Sequence, residues 1–491
     1  MKNFASALVL VLIIFVSNSA DSQVKFEKVY GGNGYDNGYS AIQTFDKGYI
    51  VAGATSSFGS GATDAYILKT DSLGDALWQK TFGGINIDQA YAINQTSDSG
   101  YVIAGYTNSY GNGGYDMYVI KTNKFGDTIW TKTYGGNNWD FAYSIEPTTD
   151  GGYIIAGGTY SYGKGNEDMY LVKINSLGDT LWTKTFGGAK DDEARSVKQT
   201  SDGGFILTGF SKSKGDTLSD FYTVKTNNMG DTLWTKKNGG NKEDFAFDII
   251  EANSGGYYIS GKTKSFGSGN YDGLVIKLSP AGVTTDTIIG GGTDDDGFNS
   301  ITQSADGRLA EAGYTYSYGY GHGTSEFLLY IENPFNGFHS GTFGGNGTEI
   351  AYSIKNTKDK GYIICGNSNS YSNLDHIYLI KTDSNGVASG NVVNVITNIN
   401  SAALPNTNLK IFPNPADNNV YLNINNREII NNNICTITVS DIFGRKLYEE
   451  IINNNLSEPI KITTSVFCTG IYLVNIESKG LLINQKLIIQ H

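Results

Sequence analysis

A Gly-Gly pair begins at Gly31, Gly83, Gly135, Gly187, Gly239, Gly291 and Gly344, with five intervals of 52 residues and a last one of 53. One pattern fills each interval. It runs from an acidic residue through a short apolar strand, a turn, Gly-Tyr-Ile-Ile-Ala-Gly, a glycine-rich loop and Asp-x-Tyr-Leu-Val-Lys to a second turn and Leu-Trp-Thr-Lys-Thr-Phe. The third copy shows it most fully, with Gly152–Gly157, Asp168–Lys173 and Leu181–Phe186. A chain built on a fixed period stacks one structural unit repeatedly, because no single unit can bury its own apolar face.

Each copy predicts four strands, in the third at about 141–147, 152–158, 168–175 and 181–186. The last two are joined by Asn175-Ser-Leu-Gly178-Asp179, whose glycine suits the left-handed position of a bulged hairpin. The turn recurs at Asp71–Asp75, Asn123–Asp127 and Asn227–Asp231. Third strands such as Met169-Tyr-Leu-Val172 are apolar on both faces, as expected of a sheet covered on both sides. Four antiparallel strands per fifty residues is the blade of a β-propeller. Six fourth strands lie between copies, near Trp78, Trp130, Trp182, Trp234, Asp286 and His339. The seventh is supplied by the N-terminus, where Phe26-Glu-Lys-Val-Tyr30-Gly-Gly aligns with Trp182-Thr-Lys-Thr-Phe186-Gly-Gly. The reading is an all-β chain, with a seven-bladed propeller over residues 23–387 closed by that strand.

Residues 1–22 read as a secretory signal peptide. Lys2 precedes an apolar run from Ala5 to Val16, too short to span a bilayer with ease, and cleavage after Ala20 or Ser22 fits the small residues that follow. Residues 388–408 form a linker with one strand near Val392–Ile396. Beyond it the repeat stops. Leu409-Lys-Ile-Phe-Pro413-Asn-Pro-Ala, Ile437-Thr-Val-Ser-Asp-Ile-Phe-Gly444, Gly470-Ile-Tyr-Leu-Val-Asn-Ile and Gln485-Lys-Leu-Ile-Ile are alternating strands of a small Ig-like sandwich. These four motifs, in this order over residues 409–491, resemble the type A C-terminal sorting domain of the type IX secretion system. The resemblance implies contact with that machinery, passage through the outer membrane, removal of the domain and often attachment to surface lipopolysaccharide. The repeats also resemble families with a Gly-x-x-x-Trp turn-and-strand motif, including pyrroloquinoline-quinone-type propellers. Calcium ligands and a cofactor pocket of that kind are not identifiable, so no cofactor and no metal are expected.

The formal net charge is −12, and residues 409–491 hold seven basic and seven acidic side chains, so the excess lies in residues 1–408. That surface disfavours nucleic acid and anionic membranes, and a monomer is expected. Cys365, Cys435 and Cys468 lack metal-ligand spacing and read as small apolar residues rather than a disulfide framework, with a Cys435–Cys468 pair in the last domain as the alternative. The four histidines, His322, His339, His376 and His491, show no arrangement that would serve a nucleophile.

Three sets of residues are candidates for recognition. Acids open the first strands (Asp36, Asp88, Asp140, Asp192, Asp244, Asp296, Glu349) and the third (Asp64, Asp116, Asp168, Asp220, Asp272, Glu326, Asp375). Because they recur in every copy, they read as acceptors for turn N–H groups. Loops ahead of the third strands carry Ser-aromatic-Gly, with Phe58, Tyr110, Tyr162, Phe266 and Tyr318, Tyr371 nearby and Lys214 as the exception. Trp139 is the only tryptophan outside the repeated strand position, and Tyr35 occupies its place in the first copy. Tyr35, Tyr110, Trp139, Tyr162 and Tyr318 are therefore the expected ligand contacts, able to stack on sugar faces. The expected function is a secreted or surface protein that binds a carbohydrate or a protein through one face. The alternative is a polysaccharide lyase or glycoside hydrolase, which would need acids or bases confined to one or two copies.

Overall fold

The computed structural model describes residues 23–213, 218–318, 324–333, 337–396, 409–414, 416–424, 434–441, 446–453, 459–478 and 481–489. The signal-peptide reading of residues 1–22, His322, His491 and Lys214 lie outside them. All described regular structure is β, and the chain divides into two units between Asn398 and Ile399.

The first unit opens with β1 (Phe26–Gly31). Six four-stranded sheets then follow in strict chain order. The first holds β2 to β5 (Asp36–Gln43, Tyr49–Thr55, Asp64–Thr70, Ala76–Phe82). The second holds β6 to β9 (Asp88–Gln95, Tyr101–Thr107, Asp116–Thr122, Thr128–Tyr134), and the third β10 to β13 (Asp140–Pro147, Tyr153–Thr159, Asp168–Ile174, Thr180–Phe186). The fourth holds β14 to β17 (Asp192–Gln199, Phe205–Ser211, Asp220–Thr226, Thr232–Asn238), and the fifth β18 to β21 (Asp244–Glu251, Tyr257–Thr263, Asp272–Leu278, Thr284–Gly290). The sixth holds β22 to β25 (Asp296–Gln303, Leu309–Thr315, Glu326–Asn333, Gly337–Phe343). The seventh has five strands in the order β26–β27–β28–β1–β29, with β26 to β28 at Glu349–Asn356, Tyr362–Ser368 and His376–Thr382, and β29 at Val392–Ile396. β1 pairs antiparallel with β28, and Phe26 faces Lys381 as Trp78 faces Lys69 in the first sheet. The strand at Val392–Ile396 does not replace β1; it lies outside it and runs parallel to it.

Sheets pack face to face on apolar second and third strands, which explains why those strands are buried on both sides. Each repeated tryptophan serves the next sheet. The turn glycines Gly126, Gly178 and Gly230 adopt φ of 76–82°, and a Cβ there would approach Trp78, Trp130 and Trp182 within 2.7–3.1 Å. The position demands glycine twice over, for its backbone angle and for the indole above it. Lysines in the third strands repeat a second device: Lys69, Lys121, Lys173, Lys225 and Lys381 are buried and pair with Asp46, Asp98, Asp150, Asp202 and Asp359 at 2.8–3.0 Å.

In the second unit, β30 (Leu409–Phe412), β31 (Asn419–Ile424) and β34 (Ile460–Thr463) form one sheet. The other runs β33 (Lys446–Asn453), β32 (Ile434–Asp441), β35 (Gly470–Ser478), β36 (Leu481–Ile489). They enclose a core that includes Val420, Leu422, Ile437, Val439, Val474 and Leu487. Cys435 lies in that core, Cys468 is exposed, and all three cysteines are unpaired.

Candidate functional site

The repeated acids are consumed by the scaffold. Asp140 accepts from the Gly136 N–H (2.8 Å), the Ser161 hydroxyl (2.7 Å) and the Thr159 hydroxyl, and Asp36, Asp88 and Asp244 do the same in their own copies. Among the third-strand acids, Asp64 accepts from the N–H groups of Ser60 and Gly61. These carboxylates tie the Gly-Gly loop to the loop after the second strand, the role expected from turn chemistry. Among the described residues no His, Cys, Asp or Glu group is arranged to hold a metal ion.

The five expected contacts are all about half exposed, from 47% for Tyr162 to 54% for Tyr35. None makes a ring contact with another. Tyr110, Tyr162 and Tyr318 each donate a hydroxyl hydrogen bond to a Gly-Gly carbonyl, of Gly83, Gly135 and Gly291, and Tyr110 and Tyr162 pack on Tyr118 and Tyr170. They act as struts between sheets as well as presenting a face. Tyr110 also lines an open cleft of about 540 Å³ between the fourth strand of the first sheet and the second sheet. Trp139 is placed differently. Its ring meets Tyr115, Phe141 and Tyr160 at centroid distances of 5.9–6.4 Å, and the contacts run on through Tyr106 to Tyr91 and Tyr143. Of the two remaining histidines, His376 is buried beside Gly31 and His339 is exposed on β25.

The inner strands meet around a narrow channel. Each first strand carries a bulge that drops one residue from the pairing, and those residues are Tyr39, Tyr91, Tyr143, Arg195, Phe247, Asn299 and Tyr352. A bulge re-aims its side chain, and here all seven line one cavity of about 120 Å³. Tyr39 stacks on Tyr91 at 4.5 Å and meets Tyr352 edge-on at 5.3 Å, while the Arg195 guanidinium lies 4.2 Å over Tyr143.

Next to Arg195 the repeat is broken in a coordinated way. Glu167 stands where other copies have Thr63, Tyr115, Ser219, Tyr271, Ser325 and Asp375. Glu193 stands where they have Asn37, Gln89, Phe141, Phe245, Gly297 and Ile350. Both glutamates are buried; Glu193 pairs with Arg195, and Tyr160 donates its hydroxyl to Glu167 at 3.1 Å. Room for Glu167 comes from Gly158, at a register that holds Tyr106, Phe210 and Tyr314 elsewhere, because a Cβ on Gly158 would collide with its carboxylate. Burial, then the neighbouring Glu193, raises the Glu167 carboxyl well above the usual carboxylate range. The sequence signal for this cluster was departure from the repeat at matched positions, whereas the expectation above followed what recurs.

The Glu167 carboxyl sets a pH dependence. A carboxyl raised on folding contributes stability that is complete below its unfolded value of about 4.3 and is lost as pH rises through its folded value. Asp116, pushed up to about 6 chiefly by burial, acts in the same direction. Asp98, Asp150 and Asp202 act oppositely: burial alone would raise them, but hydrogen bonds from their lysines and threonines hold them at about 2, so their contribution fades as pH falls below 4. Stability should therefore peak on the acidic side of neutrality. Glu167→Gln should add on the order of 2 kcal/mol at pH 8 and little at pH 4. Denaturant unfolding across pH 4–8 checks this, and parallel profiles for the two proteins would refute it.

Residues 410–490 match the family model described as a secretion system C-terminal sorting domain; this is the type IX sorting domain that the motifs resembled. It marks the protein for export, to the outer cell surface or the medium. Regulatory protein FlaEY of Caulobacter vibrioides is 26% identical over 115 residues, which cover 21% of this chain and 12% of that protein. Among solved structures, Sqt1 from Chaetomium thermophilum is similar at 10% identity (70% of this chain, 82% of that one, TM-score 0.42). BBS1N in complex with ARL6DN is similar at 9% (74% and 99%, TM-score 0.44), and the polysaccharide lyase Uly1 at 10% (71% and 90%, TM-score 0.40).

Proposed function

We propose that residues 23–387 are a seven-bladed propeller closed by β1, and that the exported protein binds a carbohydrate or a protein through the face bearing the Gly-Gly loops. Closure is supported by three features of the first and seventh sheets. Phe26 takes the tryptophan register on Lys381, Tyr39 touches Tyr352, and Tyr49, Val51, Ile363 and Cys365 share one core. The observation that carries the binding reading is the aromatic run from the half-exposed Trp139 inward to the channel. A scaffold gains nothing from an exposed indole present in one copy only. A ligand that stacks on it does.

The enzymatic alternative gains one feature, a carboxyl pair confined to the third and fourth sheets. Glycoside hydrolysis by two carboxylates requires them roughly 5–9.5 Å apart across the sugar bond. The Glu167 and Glu193 carboxyls are both buried and Glu193 is held by Arg195, so the pair is not presented to a sugar bond. Binding is the better reading.

Glycan and protein arrays probed with the secreted protein test it. Trp139→Ala should weaken capture of the ligand found about tenfold, as loss of an exposed aromatic anchor does. Tyr110→Ala should weaken it as well. Trp139→Ala should unfold at nearly the wild-type denaturant concentration, whereas Tyr110→Ala also loses its bond to the Gly83 carbonyl and should unfold somewhat earlier. Undiminished binding by both would sink the aromatic-face reading.

A further inference from the structure

We propose that the channel mouth beside the fifth sheet binds an acidic polysaccharide, with the Lys262 ammonium taking a carboxylate or sulfate and the neighbouring aromatic faces taking sugar rings. This rests on the binding reading above and specifies its ligand.

Lys262 is the only cation at its register, where the other copies hold Ala54, Tyr106, Gly158, Phe210, Tyr314 and Asn367. Its ammonium lies 4.3 Å from the centre of the Tyr271 ring and 5.8–5.9 Å from those of Phe245, Phe247 and Tyr314. Among the described residues it has no carboxylate within 4 Å. The surrounding cations are all engaged: Lys212 with Asp191 at 3.0 Å, Lys264 with Glu243 at 2.9 Å, and Arg195 with Glu193. Asp295, the other acid facing Lys262, stands beyond 4 Å and accepts the Tyr271 N–H at 3.2 Å. Burial draws the Lys262 ammonium below its usual range, although Asp295 opposes that shift. Aromatic rings compensate only part of the lost hydration of a cation. An incoming anion supplies the rest, and this is the place on the described surface of the mouth where it finds an unclaimed partner.

The chemistry around that cation favours a sugar over an acidic peptide. Tyr314 flanks it at 5.9 Å and meets the 43%-exposed Tyr316 at 6.1 Å, and Tyr316 offers a planar face that packs on the C–H face of a pyranose, while the Tyr271 ring is taken up by Lys262 and Lys264. One unpaired cation in a protein of net charge −12 also selects a polymer whose acid groups are sparse and singly read.

Affinity electrophoresis of the mature secreted protein tests the proposal, in gels containing hyaluronan, polygalacturonate or chondroitin sulfate. Each is set beside its carboxyl-reduced or desulfated counterpart, and poly-glutamate serves as the acidic peptide. At least one acidic glycan should retard the protein at tenfold lower concentration than its neutral form. Lys262→Met, which keeps the apolar stem among the rings, should abolish that difference. Lys124→Met, in the exposed hairpin turn at Asn123–Asp127, should not. Retardation by none of the acidic glycans, equal retardation by poly-glutamate, or an unchanged Lys262→Met protein would each overturn the proposal. If Trp139→Ala weakens capture of a neutral glycan while Lys262→Met leaves it intact, the face is right and the acidic ligand wrong. If neither substitution affects any captured ligand, both readings fall.

Discussion

Deleting residues 24–31 is expected to yield a protein that does not fold cooperatively and aggregates. All six residues of β1 are buried, and Val29 and Tyr30 are wholly so. Their side chains sit in cores shared with the sixth and seventh sheets on one side and the first on the other. Losing Phe26, Val29 and Tyr30 removes about 1.5–3 kcal/mol of burial for each. The polar losses add to this, because Glu27 receives the Tyr378 hydroxyl at 2.8 Å and the Gly390 N–H at 2.7 Å, and Tyr30 donates to the Gly74 carbonyl at 2.5 Å. The sum approaches the roughly 5–15 kcal/mol that holds a typical domain together. What remains is worse than unstable, since β28 becomes an apolar edge strand with open hydrogen-bonding groups. Size-exclusion chromatography and denaturant unfolding of the deletion protein are the measurements. A monomer with a wild-type transition would show that β1 decorates the seventh sheet without closing anything.

The sequence made that strand legible because Phe26 and Tyr30 sit at the spacing of Trp182 and Phe186 before a Gly-Gly pair, and the paired register agrees. Repetition likewise exposed the four-stranded unit, the turn glycines and the hydrogen-bonding acids, since each solves one local problem the same way in every copy. β29 was harder. Val392–Ile396 reads as a strand, but nothing in five residues says that it lies parallel to a strand more than 360 positions away. The candidate site was hidden for the opposite reason. Gly158, Glu167, Glu193, Arg195 and Lys262 are ordinary residues in ordinary strands and loops, and their meaning appears only where matched registers differ. A scaffold residue recurs because its neighbours recur. A ligand breaks the symmetry, so a site is found by subtracting the repeat.

Removing residues 410–490 is expected to abolish appearance of the protein outside the cell while leaving the repeat unit folded. These residues match the sorting domain and carry a separate core built from both of its sheets, with Val420, Ile437, Val439 and Val474 wholly buried. Among the described residues the repeat unit has cores of its own, built from its own strands. Stability and export should therefore separate. The truncated protein should keep the wild-type unfolding transition yet remain behind the outer membrane, with the extracellular fraction falling to background. A charge at Val474 gives the same result by another route, because burying an unpaired carboxylate costs several kcal/mol and collapses a sandwich of this size. Val474→Asp should thus block export without touching the repeats, whereas Val466→Asp, at a position 78% exposed, should pass. Protease shaving of intact cells followed by peptide mass spectrometry reads both outcomes. It also reads processing: the mature extracellular protein should lack every peptide beyond about residue 405, as sorting-domain removal requires. Truncated protein on the cell surface at wild-type level would mean that the repeats carry an export route of their own.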